Sequence, residues 1–141
     1  MNEVSRNKYN RYYRNLKSGF ITQSLLSDYS IGILTVLFDK KIVKKKCFNQ
    51  KYNIIGDFDY FLRLSIKNKI AYMAKPLASY RIHNNNYSTN NLEKYVNELR
   101  NWIKKNSLIY KSHTFFYLRY YLFKLRIKLF FKIFFGRVVQ W

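Results

Sequence analysis

Hydrophobic and polar positions along the chain change period several times, and each change predicts an element. Residues 7–18 are polar and basic with scattered Tyr and Leu16, a pattern that predicts a helix closed by Gly19. Residues 20–26 are apolar with a polar interruption. The run Ile31-Gly32-Ile33-Leu34-Thr35-Val36-Leu37-Phe38 is β-branched, apolar and of strand length, which predicts a buried strand. Residues 39–46 are charged and predict a solvated helix or turn.

Farther along, Phe58, Phe61, Leu62 and Ser65 recur at helical spacing. Asp57 and Asp59 stand in the first turn, where the helix dipole favours negative charge. Ile70–Met73 predicts a short strand, Lys75-Pro76 a turn and residues 77–82 a second strand. Residues 83–88 form an irregular polar stretch. Leu92, Tyr95, Val96, Leu99, Trp102 and Ile103 then make one helical stripe, with Asn91 as the expected N-cap. From Thr114 to Trp141 the chain is aromatic and basic, with no internal repeat or dividing linker before it.

Composition sharpens this picture. The 141 residues suit one domain, and a hydrophobic content of 48% argues against disorder despite the charge. A net charge of +20 makes the chain a partner for polyanions: nucleotide-sugars, nucleic acid or an anionic membrane face. It does not choose among them. A lone Cys47 excludes an internal disulfide and points to a reduced, cytoplasmic setting. The first residues carry no apolar core, so no signal peptide is expected.

Two constellations carry candidate chemistry. One is Ile54-Ile55-Gly56-Asp57-Phe58-Asp59-Tyr60-Phe61-Leu62-Arg63-Leu64. The other is Tyr80-Arg81-Ile82-His83, followed by Asn86 and Ser88. In this order, with a short strand and a Pro turn between them, they resemble the C-terminal part of family 2 glycosyltransferases, inverting enzymes of GT-A fold. The resemblance covers roughly residues 20–90.

The resemblance implies an α/β fold: the C-terminal, acceptor-side portion of a nucleotide-diphospho-sugar transferase domain over residues 1–90. A helical basic and aromatic region over 91–141 would follow. It implies transfer of a sugar from a nucleotide-sugar to an acceptor hydroxyl on a glycan or lipid-linked acceptor, with inversion, in surface polysaccharide or glycolipid synthesis. Mn²⁺ or Mg²⁺ would sit on the donor diphosphate. Asp57 would be the general base, because the attacking hydroxyl must lose a proton and a carboxylate within reach can take it. Capping of the following helix is a second role for the same side chain.

His83 would bind the metal or the diphosphate, and Arg81 the diphosphate. Arg63 would pair with an acid for structural reasons. Gly56 stands where the family commonly has Glu, which leaves the companion carboxylate missing. The family's nucleotide-binding half and its own Asp-x-Asp are not in this sequence, so the chain alone is expected to be inactive or weakly active.

Residues 114–141 add a last expectation. Charges on a spanning helix cost about 2.5–3.5 kcal/mol each near the bilayer centre. An interfacial helix on an anionic membrane surface, at the inner face of the cell membrane, fits better, and the alternative is a tail that packs on the nucleotide-binding half. As a helix, Lys124, Lys128 and Lys132 form one stripe, while Arg119 and Arg126 fall on the other side. The competing reading is a small basic protein that binds nucleic acid or a membrane surface without catalysis, although no nucleic-acid-binding signature supports the former.

Overall fold

A computed structural model describes residues 16–43, 48–75, 78, 86–107, 109–110 and 112–135. Among the described residues five α-helices follow in order: α1 (Thr22–Ser27), α2 (Gly56–Lys67), α3 (Tyr87–Asn90), α4 (Leu92–Asn106) and α5 (Ser112–Phe135). Single 3₁₀ turns occur at Ile33–Thr35 and Lys40–Ile42. The architecture is α-rich, and the α/β expectation is not met among the described residues. They contain no strand, and the only β pairing is an isolated antiparallel bridge between Gly19 and Ile70.

The predicted strand at 31–38 shows why. Its backbone is extended at Gly32 and at the β-branched Val36, but the centre is a 3₁₀ turn. There the Gly32 carbonyl is taken by the Thr35 amide and hydroxyl, each at 3.0 Å. Leu37 is 97% exposed, and Ile33 and Leu34 are also exposed. A strand exists only against a neighbour that takes its amide and carbonyl groups, and none lies beside this segment among the described residues.

The strand predicted at Ile70–Met73 is reduced to the Gly19 bridge, with amide-to-carbonyl distances of 2.8 and 2.9 Å, and a bond from the Tyr72 amide to Ser18 Oγ. Gly19 has φ 109°, a left-handed geometry that suits glycine, but the turn it makes feeds this bridge rather than ending a helix. Leu16–Ser18 are not helical. The rest of the predicted helix at 7–18 lies outside the described residues, as do Cys47, Pro76, Leu77, residues 79–85 and the chain beyond 135.

The two helices read from periodicity are present. α2 buries Phe58, Phe61, Leu62 and Ser65, and α4 buries Leu92, Val96, Leu99, Trp102 and Ile103. Asn91 does stand at the N-cap of α4, but its amide turns back to donate to the Tyr87 carbonyl (2.9 Å) and so closes α3. α5 contributes Phe115, Leu118 and Leu125 to the core, with Leu122 and Leu129 packed against it. The helical C-terminal region is therefore present, packed on α1 and α4. No helix among the described residues is long and apolar enough to cross a membrane.

Trp102 is the centre of this core, fully buried. Phe58 meets its ring edge-on at 4.9 Å, while Tyr110 and Phe115 stack at 5.7 and 6.3 Å. One indole thus joins α2, α4, α5 and the connection before α5. Ser65, also fully buried, keeps its hydroxyl satisfied between the Leu62 carbonyl (2.8 Å) and Thr22 Oγ1 (2.9 Å), which fixes α1 on α2. Trp102→Ala is expected to cost about 3–5 kcal/mol of stability in urea unfolding. Trp102→Phe keeps an aromatic ring but removes the indole donor, and is expected to cost about 1–3 kcal/mol.

Candidate active site

The first turn of α2 carries two carboxylates with opposite fates. Two residues apart on a helix, they diverge by roughly 200°. Asp59 turns into the core and is 6% exposed. Its Oδ1 accepts the Trp102 indole N–H at 2.9 Å, and its Oδ2 accepts Arg63 Nε at 3.0 Å, with a second guanidinium nitrogen also at 3.0 Å. Both oxygens are therefore in use. The structural ion pair expected for Arg63 is present, one helical turn from its acid.

Asp57 remains half-buried at the start of the helix. Its Oδ1 accepts the adjacent Phe58 amide at 2.7 Å, but Asp57 lies inside the first turn and does not cap α2, whose N-cap is Ile55 with no side-chain cap bond. Among the described residues this is the one hydrogen bond that Asp57 accepts. Aromatic hydroxyls surround it. The Tyr29 hydroxyl is buried and approaches Asp57 without reaching good hydrogen-bond geometry. Burial, and then the Asp57 charge, hold this phenol well above the ordinary tyrosine range. Tyr95 is shifted the same way, first by burial, next by Tyr121, whose hydroxyl lies 3.2 Å away, and also by Asp57.

A third carboxylate, not anticipated from the motifs, fixes the approach to this turn. Glu98 of α4 is 8% exposed and accepts three successive amides: Asn53 (3.0 Å) on Oε1, and Ile54 (3.0 Å) and Ile55 (3.2 Å) on Oε2. Amides just ahead of a helix converge on one point and carry the positive end of its dipole, so a carboxylate is their natural acceptor. Glu98 thereby sets the direction in which α2, and Asp57 with it, leaves the loop. A signal was available in the sequence: Glu98 falls about 40° from Trp102 on the α4 wheel, at the edge of the apolar stripe.

The same acids reach neighbouring phenols. Burial, then Asp59 and Glu98, raise Tyr52, while Arg63 opposes the shift. Tyr110 is raised by burial and by Asp59, again against Arg63. An open groove of about 490 Å³ is lined by Glu98 together with Lys51, Asn91, Lys94, Asn97 and Asn101. It is polar, and Asp57 does not line it.

The structure thus describes one of the three predicted site residues. Arg81 and His83 lie outside the described residues. Among those described, no group of three His, Cys, Asp or Glu side chains could hold a metal ion. Asp57 and Asp59 do not form a clamp for Mn²⁺ or Mg²⁺ either, because Asp59 is committed to Arg63 and Trp102. No family model matches the chain, and no curated protein or solved structure shows significant similarity to it.

Two outcomes follow from this geometry. Glu98→Ala leaves three amides without their acceptor and is expected to cost about 2–3 kcal/mol in urea unfolding, with faster hydrogen exchange at Asn53–Ile55; Glu98→Gln is expected to lose about half of that. The tyrosines set an alkaline limit. Their folded-state values lie above the unfolded value of about 10, so the unfolded chain releases these protons first. Their contribution is complete below about pH 10 and declines as pH rises toward the folded-state values. Tyr95→Phe is expected to flatten the fall in urea midpoint between mildly and strongly alkaline buffers.

Proposed function

We propose that this chain is the acceptor-side portion of an inverting glycosyltransferase of family 2 type, with Asp57 as the general base. The observation that carries this reading is the division of labour in the first turn of α2. Asp59 is buried and fully engaged, whereas Asp57 is partly accessible and accepts a single amide among the described residues. Its position is held from two sides, by the Phe58 amide and by Glu98 of α4, which accepts the amides of the preceding loop. A base works when its carboxylate is fixed and one oxygen can meet the incoming hydroxyl.

In the reaction proposed, the acceptor oxygen attacks the anomeric carbon of the donor sugar and its proton passes to Asp57. The bond from the anomeric carbon to the donor phosphate breaks on the opposite face, and the nucleoside diphosphate leaves with the electron pair. Inversion follows from this in-line geometry. The donor is held by a nucleotide-binding unit outside this chain, with Arg81 and His83 on the diphosphate side. The exposed segment at 31–38, extended at both flanks, supports a chain designed to sit beside further polypeptide.

The test is to combine the chain with an Asp-x-Asp nucleotide-binding half and follow nucleoside diphosphate release with a sugar acceptor. Asp57→Asn keeps an acceptor for the Phe58 amide, so folding is expected to be preserved. Turnover is expected to fall by about 10²–10⁴-fold. A variant that folds and turns over like the parent removes Asp57 from the mechanism.

A further inference from the structure

α5 buries one row of side chains and leaves a second row uncovered. The inner row, Phe115, Leu118, Leu122, Leu125 and Leu129, faces the core. The outer row is Phe116, Tyr120, Phe123, Ile127, Phe130 and Phe134, at alternating steps of four and three residues. That is heptad spacing, and it runs down one side of the helix. At about 100° per residue the two rows lie roughly 140° apart. Every member of the outer row is exposed, from 38% at Ile127 to 69% at Phe116. Two apolar rows on different faces largely cancel, which is why the sequence pattern reads as imperfectly amphipathic.

The flanks of the outer row are cationic on both sides. Arg119 and Arg126 border one edge, Lys124 and Lys128 the other, and α5 contains no carboxylate. The Lys124 ammonium lies 4.9 Å from the centre of the Tyr120 ring, and the Phe130 and Phe134 rings lie 4.3 Å apart, tilted by 37°. Lys132 belongs elsewhere: it reaches the carbonyls of Thr89 (3.3 Å) and Asn90 (3.5 Å).

This arrangement selects its occupant. A second copy of the helix would bring cationic flanks against cationic flanks in either orientation. A helical protein partner takes branched aliphatic knobs, whereas all but one of the outer row are aromatic. A lipid surface suits both features. Aromatic bodies sit at the headgroup level, and Lys and Arg stems lie along the apolar boundary while their charged ends reach the phosphates. Anionic lipid supplies the opposite charge.

We propose that α5 is an in-plane membrane anchor, seating its outer aromatic row in the headgroup region of an anionic bilayer while its inner row holds the fold. The helix is too charged to cross the bilayer, and its 24 residues give about 36 Å of contact. This inference goes beyond sugar transfer and stands without it.

The experiment is flotation of the full chain with phosphatidylglycerol vesicles and with phosphatidylcholine vesicles, at low and high salt. Binding to the anionic vesicles is expected, with much weaker binding to the zwitterionic ones. The pair Phe123→Ser and Phe130→Ser, both on the uncovered row, is expected to weaken partitioning by about tenfold or more without altering far-UV circular dichroism. The pair Lys124→Glu and Lys128→Glu is expected to abolish anionic selectivity, and decides the matter if the serine variant does not fold. Absence of binding to anionic vesicles overturns the proposal. So does undiminished binding by a folded serine variant, which is adsorption of a polycation only. A concentration-dependent dimer in lipid-free sedimentation equilibrium that the serine variant abolishes also overturns it.

Discussion

The hydrogen bond from the Trp102 indole to Asp59, 2.9 Å long inside the aromatic core, is the constraint on which the other contacts rest. It requires a carboxylate to be buried, and burial of a charge is stable only when its oxygens are occupied. Arg63 occupies the other oxygen from one turn away on the same helix. With both oxygens satisfied, α2 and α4 meet through these side chains, with Phe58 against the indole. The connection before α5 then stacks Tyr110 on the same ring.

Glu98 applies the same logic to the backbone. The loop at 53–55 turns three amides toward the inside of the molecule, where unpaired donors are costly. A single carboxylate on α4 accepts all three. α4 therefore determines both the position of α2, through Trp102, and the direction of its first turn, through Glu98. Asp57 inherits that orientation without being buried itself. A chain with a net charge of +20 has placed two of its few carboxylates in the interior, where each bonds to groups that fix the α2–α4 junction.

The helical parts of this arrangement were legible in the residues. The α2 and α4 stripes have the helical period, and their predicted apolar members are buried with only Tyr95 partly so. The Arg63–Asp59 pair follows from spacing on one helix. Segments 31–38 and 70–73 were not legible in the same way, because strand formation depends on a partner distant in sequence and propensity describes only one chain segment. Asn91 illustrates a smaller failure. Its residue type suits an N-cap, yet its side-chain amide donates to the Tyr87 carbonyl and its oxygen makes no cap bond to α4. Asp57 was legible as a residue type at a helix start, but its nearness to Tyr29 and Tyr95 joins three separate elements.

The sequence by itself determined that α2, α4 and the region of α5 become helices, which face of α2 and α4 is apolar, and that the chain is strongly basic. These are properties of short windows, where local periodicity and composition contain the whole cause. The tertiary structure alone decided that Asp59 is buried while Asp57 is not, that Glu98 serves the loop ahead of α2, and that α5 turns one of its two apolar rows inward. Each depends on which distant groups come within hydrogen-bond or van der Waals range, and only packing brings them there.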